Sequence, residues 1–367
     1  MRFSLLREAL LKPLQQVVGV VERRQTMPIL SNLLVEVTPE QTLILTSTDL
    51  EVEMTAQCSL DDGQAGIATV PARKWFEIVR ALPAKVTIHG ELNGDRLLLR
   101  ANRSRYTLTT LPANDFPTLE GIQVIDHLKI SELALHSLME RTAFAMATQD
   151  VRYYLNGLLF DLQNGRLRCV ATDGHRLALA EILLPRSQIS GKQIILPRKG
   201  VQELMGLLVN DEAEVELELA QNHLRLRRPE ATFTSKLIDG KFPDYEAVIP
   251  IGADQVVEID RDIFRSALQR AAILSNEKYR GIRMMLDKNL VRLQAQNPDQ
   301  EEADIEVEVV YAGDAIEIGF NVSYVLDVLN AIKDEKVKFI LADSQSSVVI
   351  EGFDSSEALY VVMPMRL

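Results

Sequence analysis

Apolar and polar positions along the chain follow two periods that alternate repeatedly. In residues 4–21, Leu6, Leu10 and Leu14 recur at helical spacing, which predicts an amphipathic helix. A second helix is predicted over 72–82. Alternating apolar and polar residues around these helices predict strands, at 33–37, 42–47, 51–60, 66–70, 85–89, 96–101 and 106–111. The first 120 or so residues therefore contain two rounds of one helix followed by strands.

This pattern is repeated three times. Asn32, Asn156 and Arg280 precede or open the same strand and are each 124 residues apart. The ends of the next strand are also 124 residues apart, at Thr48-Asp49, Thr172-Asp173 and Gln296-Asn297. The later helices are predicted near 131–147, after 196–198, and over 261–274 and 322–332, and the loop before the first strand of the third repeat is shorter. The sequence therefore predicts a threefold internal repeat.

Length and linkers divide these repeats into domains. A chain of 367 residues is too long for one compact core and suits three domains of about 120 residues. Linkers at 121–127 and 250–257 give expected domains at 1–122, 126–250 and 254–367. The fold class is α+β, with two helices and two small antiparallel sheets in each domain.

Half a domain buries one helix on one sheet and is too small to be stable alone, so neighbours are expected to continue each other's sheets. Six such quasi-equivalent units joined by one rotation would make an arc, or half-ring. The open sheet edges of this arc could join head to tail with a second copy and close a ring with twofold symmetry.

Composition indicates a chain that folds throughout, since 47% of its residues are hydrophobic and 25% are charged. The first residues lack the apolar core of a signal peptide, and no segment is apolar enough to span a bilayer. Cys58 and Cys169 lie in strand-like runs, which favours buried thiols over a disulfide or metal site. We therefore expect a cytoplasmic protein.

Charge is unevenly distributed. The net charge is −12, which argues against a protein that coats itself in nucleic acid. The helix starts and their flanks are nevertheless basic, as at Arg73-Lys74, Arg198-Lys199 and Arg261, whereas acidic runs lie elsewhere. A basic inner wall with an acidic outer face suits a polyanion held inside a ring.

Several stretches resemble one family closely and in order: LLKPLQQV, TDLEVEM, QDVRYYLNG, VATDGHRLA, PRKGV, FTSKLIDGKFPDY, RAAILSNEKYRG, FNVSYVLDVLNA and YVVMPMRL. Along its whole length the chain resembles the bacterial DNA polymerase III beta subunit family, the sliding clamps. The resemblance implies a ring-shaped homodimer that encircles double-stranded DNA regardless of sequence and tethers the polymerase. It implies no active site, cofactor or metal.

The resemblance assigns DNA contacts to cations, an amide and two tyrosines, which suit sugar-phosphate contacts that carry no sequence information. These residues are Arg24, Arg73, Gln149, Tyr153 and Tyr154, with Lys74, Arg198 and Lys199 as further candidates on helix starts. The alternative is a solvated charged face with the two tyrosines in the core.

The resemblance also implies a hydrophobic cleft that captures short linear peptides of partners. The expected partners are the DNA polymerase III alpha subunit, the delta subunit of the clamp loader, other DNA polymerases and repair proteins. The cleft maps to Leu155, Thr172, Gly174, His175, Arg176, Leu177, Pro243, Val248, Asn321, Tyr324, Ser347, Val362, Met363, Pro364, Met365 and Arg366.

Methionine and leucine make an adaptable apolar floor, and Arg176 and Asn321 could satisfy polar ends of a peptide. Ordinary core packing is the alternative for the methionine-rich tail. Ala247 and Gln345 depart from the family pattern, which expects a larger and often basic residue at the first position and an apolar one at the second.

Ring closure is expected where basic residues of the first domain meet acidic and apolar residues of the third. The residues are Arg96, Arg103, Arg105 and Tyr106 on one side and Ile273, Leu274, Glu301, Glu302 and Asp304 on the other. A solvated acidic turn is the alternative for residues 301–304.

Two other function classes, an enzyme and a peptide-binding scaffold, make different demands on the sequence. Asp173 near His175 could orient a general base for an enzyme, but no nucleophile accompanies them, the other repeats lack the histidine, and the chain contains no phosphate-binding loop motif. A scaffold that binds peptides without DNA would keep the cleft but would be insensitive to changes at Arg24 and Tyr153.

Overall fold

A computed structural model describes residues 1–22, 27–119, 121–184, 189–208, 212–355 and 357–366. The chain divides into two compact units, each built from two segments. The first unit comprises residues 1–133 and 199–237, and the second comprises residues 134–198 and 238–367.

The described residues contain six α-helices and 25 strands. Those of the first repeat are β1 Arg2–Leu6, α1 Arg7–Val18, β2 Asn32–Val37, β3 Thr42–Thr48, β4 Val52–Ser59, β5 Asp62–Gln64, β6 Gly66–Pro71, α2 Ala72–Ala81, β7 Thr87–Asn93, β8 Arg96–Ala101 and β9 Ser104–Thr109. Those of the middle repeat are β10 Val124–Ser131, α3 Glu132–Thr142, β11 Gly157–Gln163, β12 Arg166–Thr172, β13 Arg176–Leu183, β14 Lys192–Pro197, α4 Arg198–Leu207, β15 Glu214–Ala220, β16 His223–Arg227 and β17 Ala231–Lys236. Those of the third repeat are β18 Gln255–Asp260, α5 Arg261–Ala271, β19 Gly281–Asp287, β20 Leu290–Gln296, β21 Glu302–Glu308, β22 Ile316–Asn321, α6 Val322–Ala331, β23 Lys336–Leu341, β24 Val348–Gly352 and β25 Ala358–Val362.

Four antiparallel sheets organise these strands. One eight-stranded sheet has the order β10-β15-β16-β17-β4-β3-β2-β6, and the other has the order β14-β11-β12-β13-β25-β24-β23-β18. A five-stranded sheet, β5-β1-β7-β8-β9, and a four-stranded sheet, β21-β20-β19-β22, complete the set. Since β17 pairs with β4 and β25 pairs with β13, the expectation that neighbouring repeats continue each other's sheets is confirmed.

Strands that alternate apolar and polar side chains bury one face of their sheet. In β8, for example, Leu97 and Leu99 are buried while Arg96 and Arg100 are exposed. The helices cover these faces with stripes spaced three and four residues apart. Helix α1 buries Leu10, Leu14 and Val17, and each fully buried leucine contributes roughly 2 kcal/mol.

The predicted helix over residues 4–21 is too long at its start. Residues 2–6 form β1, in which Phe3 and Leu5 are buried on one face. The alternation of apolar and polar residues covers only these five positions and is followed directly by helical spacing. The sequence pattern therefore does not distinguish the strand from the start of the helix. The predicted linkers at 121–127 and 250–257 likewise include the first residues of β10 and β18, which precede α3 and α5.

Both cysteines are free thiols. Cys169 is buried as expected, whereas Cys58 is only half-buried. Burial raises the pKa of Cys58 to about 11. None of the helices in the described parts of the chain is both long enough and apolar enough to cross a membrane.

Candidate functional site

The turn between β12 and β13 contains several candidate cleft residues in the second unit. Thr172 donates its hydroxyl to the carbonyl of Arg176 at 2.7 Å and accepts the Gly174 N–H at 3.1 Å. Asp173 Oδ1 accepts the backbone N–H groups of His175 and Arg176 at 2.9 and 3.1 Å. Gly174 has a φ of +88°, which a residue without a Cβ adopts at no steric cost. The turn is therefore fixed by its own side chains.

Arg176 extends from this turn into a largely enclosed environment. Its Nε donates to Asp173 at 3.1 Å, Nη1 to Asp327 at 2.5 Å and Nη2 to the Phe144 carbonyl at 3.0 Å. The guanidinium carbon lies 5.3 Å from the centre of the Phe144 ring and 4.7 Å from that of Tyr324. Neither Phe144 nor Asp327 was assigned to the cleft from the sequence, because both are distant from the turn along the chain.

Tyr324 joins this arrangement to the exposed His175. The two rings stack with centres 6.2 Å apart and an angle of 14° between their planes. Burial, together with the negative charge of Asp173, raises the pKa of the Tyr324 hydroxyl. Phe144, Arg176, Tyr324 and His175 therefore form a continuous stack from the end of α3 to the surface.

The floor beside the turn is apolar. A buried cluster of side chains from five of the strands and from the segment after β17 comprises Leu159, Val170, Leu177, Leu179, Ile195, Phe242, Tyr245 and Val361. Leu155 and Val362 are also buried, at 1% and 0% exposure, whereas Met363 is 37% exposed. In the methionine-rich tail the core-packing alternative therefore holds for Val362, whereas Met363 is left open to solvent.

Backbone contacts hold the C-terminal residues in place. The Met363 N–H donates to the His175 carbonyl at 2.9 Å, and the Met365 N–H donates to the Gly319 carbonyl at 2.7 Å. Pro364 and Met365 are half-buried and Arg366 is exposed. The predicted tail residues are therefore brought directly beside the predicted turn.

A polar network anchors the segment that carries Pro243 and Val248, both of which are exposed. The Tyr245 hydroxyl donates to Asp161 Oδ2 at 2.7 Å and accepts from Arg168 at 3.3 Å. Arg168 also donates to Glu246 at 2.7 Å. Asp161 and Tyr245 are further residues that sequence reasoning missed, since a buried carboxylate within an apolar strand gives no sign of its partner.

Two remaining cleft candidates lie on the third repeat. The Asn321 side chain accepts the Ser323 N–H at 2.9 Å and caps α6, so its oxygen already has a partner. Ser347 is half-buried immediately before β24. The exposed Gln345 side chain belongs to a turn in which Asp343 accepts the backbone N–H groups of Gln345 and Ser346, each at 2.7 Å.

Three candidate DNA contacts belong to the first unit and differ in their surroundings. Lys74 is exposed. Arg73 donates to the Val21 carbonyl at 2.5 Å. Lys199 donates to the Val20 carbonyl at 2.8 Å, to Glu22 at 3.1 Å and to the nearly buried Asp49 carboxylate. Lys199 is thus largely neutralised by the protein.

Four candidate DNA contacts belong to the second unit. Gln149 is exposed, with a φ of +56°, and Tyr153 is 56% exposed. Tyr154 is half-buried and packs against the apolar cluster, so the core alternative holds in part for this residue. Arg198 donates to the Met146 carbonyl at 3.0 Å. Arg24 lies outside the described residues.

The charged candidates for ring closure, together with Tyr106, lie on or beside edge strands. Arg96, Arg105 and Tyr106 lie on β8 and β9, and Arg103 lies in the exposed turn that connects these strands. Glu302 and Asp304 lie on β21, and Glu301 immediately precedes it. Ile273 is 76% exposed, and Leu274 is half-buried in the turn after α5. A cavity of about 380 Å³ beside β21 is lined by Gly281, Arg283, Gln294, Ala295, Gln296, Glu302, Ala303 and Asp304.

The Asp173–His175 pair does not have the geometry of a catalytic dyad. Asp173 Oδ1 binds two backbone N–H groups and Oδ2 binds Arg176. The His175 ring stacks on Tyr324. The carboxylate therefore organises the turn and Arg176.

Comparisons with known proteins agree with one another. Family models of the DNA polymerase III beta subunit match in three parts: the N-terminal domain at residues 1–120, the central domain at 129–244 and the C-terminal domain at 246–366. The beta sliding clamp of Pseudomonas aeruginosa is 54% identical over 368 residues, with complete coverage of both chains.

Solved structures give the same result. A crystal structure of DNA polymerase III subunit beta from Pseudomonas aeruginosa has a TM-score of 0.95 at 53% identity, with complete coverage of both chains. A second structure of a sliding clamp from this organism, bound to griselimycin, has a TM-score of 0.94 at 54% identity, again with complete coverage.

Proposed function

The chain belongs to the DNA polymerase III beta subunit family, the sliding clamps, and from this premise we propose that two copies close head to tail into a ring around duplex DNA. The ring tethers the replicative polymerase and other partners through the cleft of the second unit. Its role is processivity without catalysis, and its place of action is the bacterial cytoplasm, on the chromosome during replication.

The order of the strands carries the proposal. Each eight-stranded sheet joins four strands of one repeat to four of the next, through the pairs β4 with β17 and β13 with β25. The four-stranded sheet ends at β21 and the five-stranded sheet ends at β9. In the third repeat β21 holds the position of β4 and β13, and in the first repeat β9 holds the position of β17 and β25. Joining β21 of one copy to β9 of another would build a third sheet of the same kind, and exposed edges invite such pairing.

The two internal junctions also give a register for this joint. Phe233 of β17 lies opposite Met54, and Tyr360 of β25 lies opposite Ala178. Tyr106 holds the same position in β9, since all three aromatic residues are 127 residues apart. Phe233 and Tyr360 are 0% and 1% exposed, whereas Tyr106 is only half-buried. A partner strand would complete the burial of Tyr106.

The opposing residues on β21 follow from the hairpin pairings. Thr172 pairs with Leu177 and Gln296 pairs with Glu302, so Ala303 corresponds to Ala178. Tyr106 would then face Ala303 of the second copy, and Arg105 would face Asp304. Opposite charges at this position favour the correct register.

DNA contact is proposed for side chains that can reach phosphates without reading bases. Lys74, Gln149 and Tyr153 are exposed and suited to this role. Arg24 and Arg73 remain in the proposed set, as do Tyr154, Arg198 and Lys199. We expect Arg73, Tyr154, Arg198 and Lys199 to contribute less, because Tyr154 packs on the apolar cluster and the three cations already bind protein carbonyls.

Peptide capture is proposed at the floor and stack described above, next to Met363. An exposed methionine beside an apolar cluster can adapt to different side chains. The sliding clamp from Pseudomonas aeruginosa that is described as bound to griselimycin supports a ligand-binding surface in this family. The partners proposed are the alpha subunit of DNA polymerase III, the clamp loader through its delta subunit, and other DNA polymerases and repair proteins.

Retention on circular DNA tests the ring. The protein is loaded onto nicked circular DNA by its cognate loader, free protein is removed, and bound protein is counted before and after the circle is cut once. A ring is held on the circle and lost rapidly from the linear form. Equal dissociation from both forms would contradict encirclement and favour a peptide-binding scaffold.

A further inference from the structure

Two cations occupy corresponding sites in the two units. In the first unit, Lys199 binds the Val20 carbonyl at 2.8 Å and the carboxylate of Asp49. In the second unit, Arg176 binds the Phe144 carbonyl at 3.0 Å and the carboxylate of Asp173 at 3.1 Å. Val20 and Phe144 lie in the turn that ends the first helix of their repeats, and Asp49 and Asp173 are 124 residues apart.

The turns around these acids have the same internal hydrogen bonds. Thr48 donates to the Val52 carbonyl at 3.0 Å, as Thr172 does to that of Arg176 at 2.7 Å. Asp49 Oδ1 accepts the Val52 N–H at 2.7 Å. In the same way, Asp173 Oδ1 accepts the Arg176 N–H at 3.1 Å. The two sites are therefore versions of one brace, in which a cation ties a turn to the end of a helix.

The cation comes from a different element in each version. Lys199 lies in α4, and the residue 124 positions later in α6 is Ser323, which has no charge. The second site is filled from the turn by Arg176, at the position where the first repeat has Val52. Arg176 then reaches α6 through Asp327.

Arg176 has little capacity left for a ligand. Its side chain is 11% exposed, and its three side-chain nitrogens each donate to a protein acceptor. The centres of the Phe144 and Tyr324 rings lie 5.3 and 4.7 Å from the guanidinium carbon. The outer face of the stack, His175 on Tyr324, is the part open to the cleft. Arg176 therefore sets the position of residues that a peptide can touch.

We propose that Arg176 is a positioning residue of the peptide cleft, which braces the turn at residues 172–176 against α6 and the end of α3, rather than a ligand of the peptide. The inference rests on the proposed function of the cleft. The proposal also gives roles to Asp327 and Phe144. These two residues lie outside the candidate cleft and act on the peptide only through Arg176.

The test uses a fluorescently labelled peptide from the cognate DNA polymerase III alpha subunit and the full-length protein. Affinity is measured for the wild type, Asp327→Asn and Asp327→Ala. We expect the alanine variant to bind at least fivefold more weakly and the asparagine variant, which keeps an acceptor for Arg176, to fall between it and the wild type. Asp262→Asn, at an exposed acid that pairs with Arg265 on α5, is the matched control and should bind normally.

A double-mutant cycle separates positioning from direct contact. Peptides with alanine at each position in turn are measured against the wild type and Arg176→Lys. A positioning role predicts that Arg176→Lys weakens every peptide by a similar factor. Normal binding by Asp327→Ala, or a coupling of Arg176→Lys to a single peptide position, would overturn the proposal. Absence of wild-type binding would overturn the proposed function, and this inference with it.

Discussion

Leu50 and Gly174 occupy the same position in two copies of one turn, 124 residues apart, and both have a left-handed backbone, with φ of +78° and +88°. Leu50 is 37% exposed, so the turn accepts a branched side chain that projects outwards. The glycine of the middle repeat is therefore not required by the backbone alone. Its lack of a side chain instead leaves room for the guanidinium of Arg152, which donates to the Asp173 carbonyl at 3.3 Å.

Replacing Gly174 by leucine should copy the first repeat into the middle one and obstruct the cleft. A Cβ at Gly174 would lie 3.0 Å from Arg152 Nη2, the far end of a flexible side chain that can move. We expect at least tenfold weaker binding of a polymerase-derived peptide by calorimetry, with a loss of stability of about 1–2 kcal/mol. Gly174→Ala is the control and should bind more tightly than Gly174→Leu. Equal affinity of Gly174→Leu and wild type would contradict the placement of the cleft.

The threefold repeat and most strands could be predicted from the sequence because strand alternation and helical spacing are local patterns. The strand β1 could not, since its two buried residues, Phe3 and Leu5, lead directly into helix α1. The protein partners of the candidate cations could not be predicted for a different physical reason. Arg73, Arg198 and Lys199 begin helices, where cations are unfavourable for the helix's own dipole, and their carbonyl partners belong to elements distant in sequence.

Removing the Tyr245 hydroxyl should loosen the segment that carries Pro243 and Val248. Tyr245→Phe keeps the ring but deprives Asp161, which is 2% exposed, of its 2.7 Å hydrogen bond. Gln193 still donates to the same oxygen at 3.1 Å, so the substitution removes one hydrogen bond to a charged group, which contributes about 1.5–3 kcal/mol. We expect a lower midpoint in urea and weaker peptide binding. An unchanged midpoint would mean that the network does not hold the segment.

The same substitution should change the response to alkaline pH. Burial, opposed by the Arg168 hydrogen bond and reinforced by the Asp161 hydrogen bond, raises the pKa of Tyr245 to about 12, from roughly 10 in an unfolded chain. Because the pKa of Tyr245 is higher in the folded state, its contribution to the unfolding free energy is fully present below about pH 10 and is lost as the pH rises towards 12. The difference in unfolding free energy between wild type and Tyr245→Phe should therefore shrink over this range. A constant difference would contradict the assignment.

Lys199 and Lys74 should respond oppositely to truncation. Lys199→Ala leaves Asp49, whose side chain is 7% exposed, without its cation, so we expect a loss of about 1–3 kcal/mol in unfolding free energy. Lys74→Ala should leave stability unchanged and lower the salt dependence of DNA binding by about one unit of slope, since each neutralised phosphate contributes roughly 0.9. Thermal unfolding and salt titration on linear DNA measure the two effects. Equal stability of the two variants would contradict the brace at Lys199.

Cysteines at Tyr106 and Ala303 should cross-link two copies if the internal junctions give the correct register for ring closure. In the β17–β4 pair the Lys236 N–H donates to the Glu51 carbonyl, so Phe233 and Met54 form a pair without direct hydrogen bonds. Such pairs have Cα atoms about 4.5 Å apart, within the range that a disulfide spans. Tyr106 and Ala303 of the partner should share this geometry. Oxidation of the double variant should give a covalently closed dimer that is retained on circular DNA in denaturant.

The matched control pairs Tyr106→Cys with Ile305→Cys, two residues further along β21 on the same face. Diagonal neighbours of this kind lie about 7–8 Å apart, beyond comfortable disulfide reach, so the control should cross-link poorly. The native thiols Cys58 and Cys169 should not contribute, because burial raises the pKa of both and so suppresses the reactive thiolate. Faster cross-linking of the control than of the Ala303 pair would shift the register by two residues. Failure of both pairs, with a dimer present in solution, would place the joint on other strands.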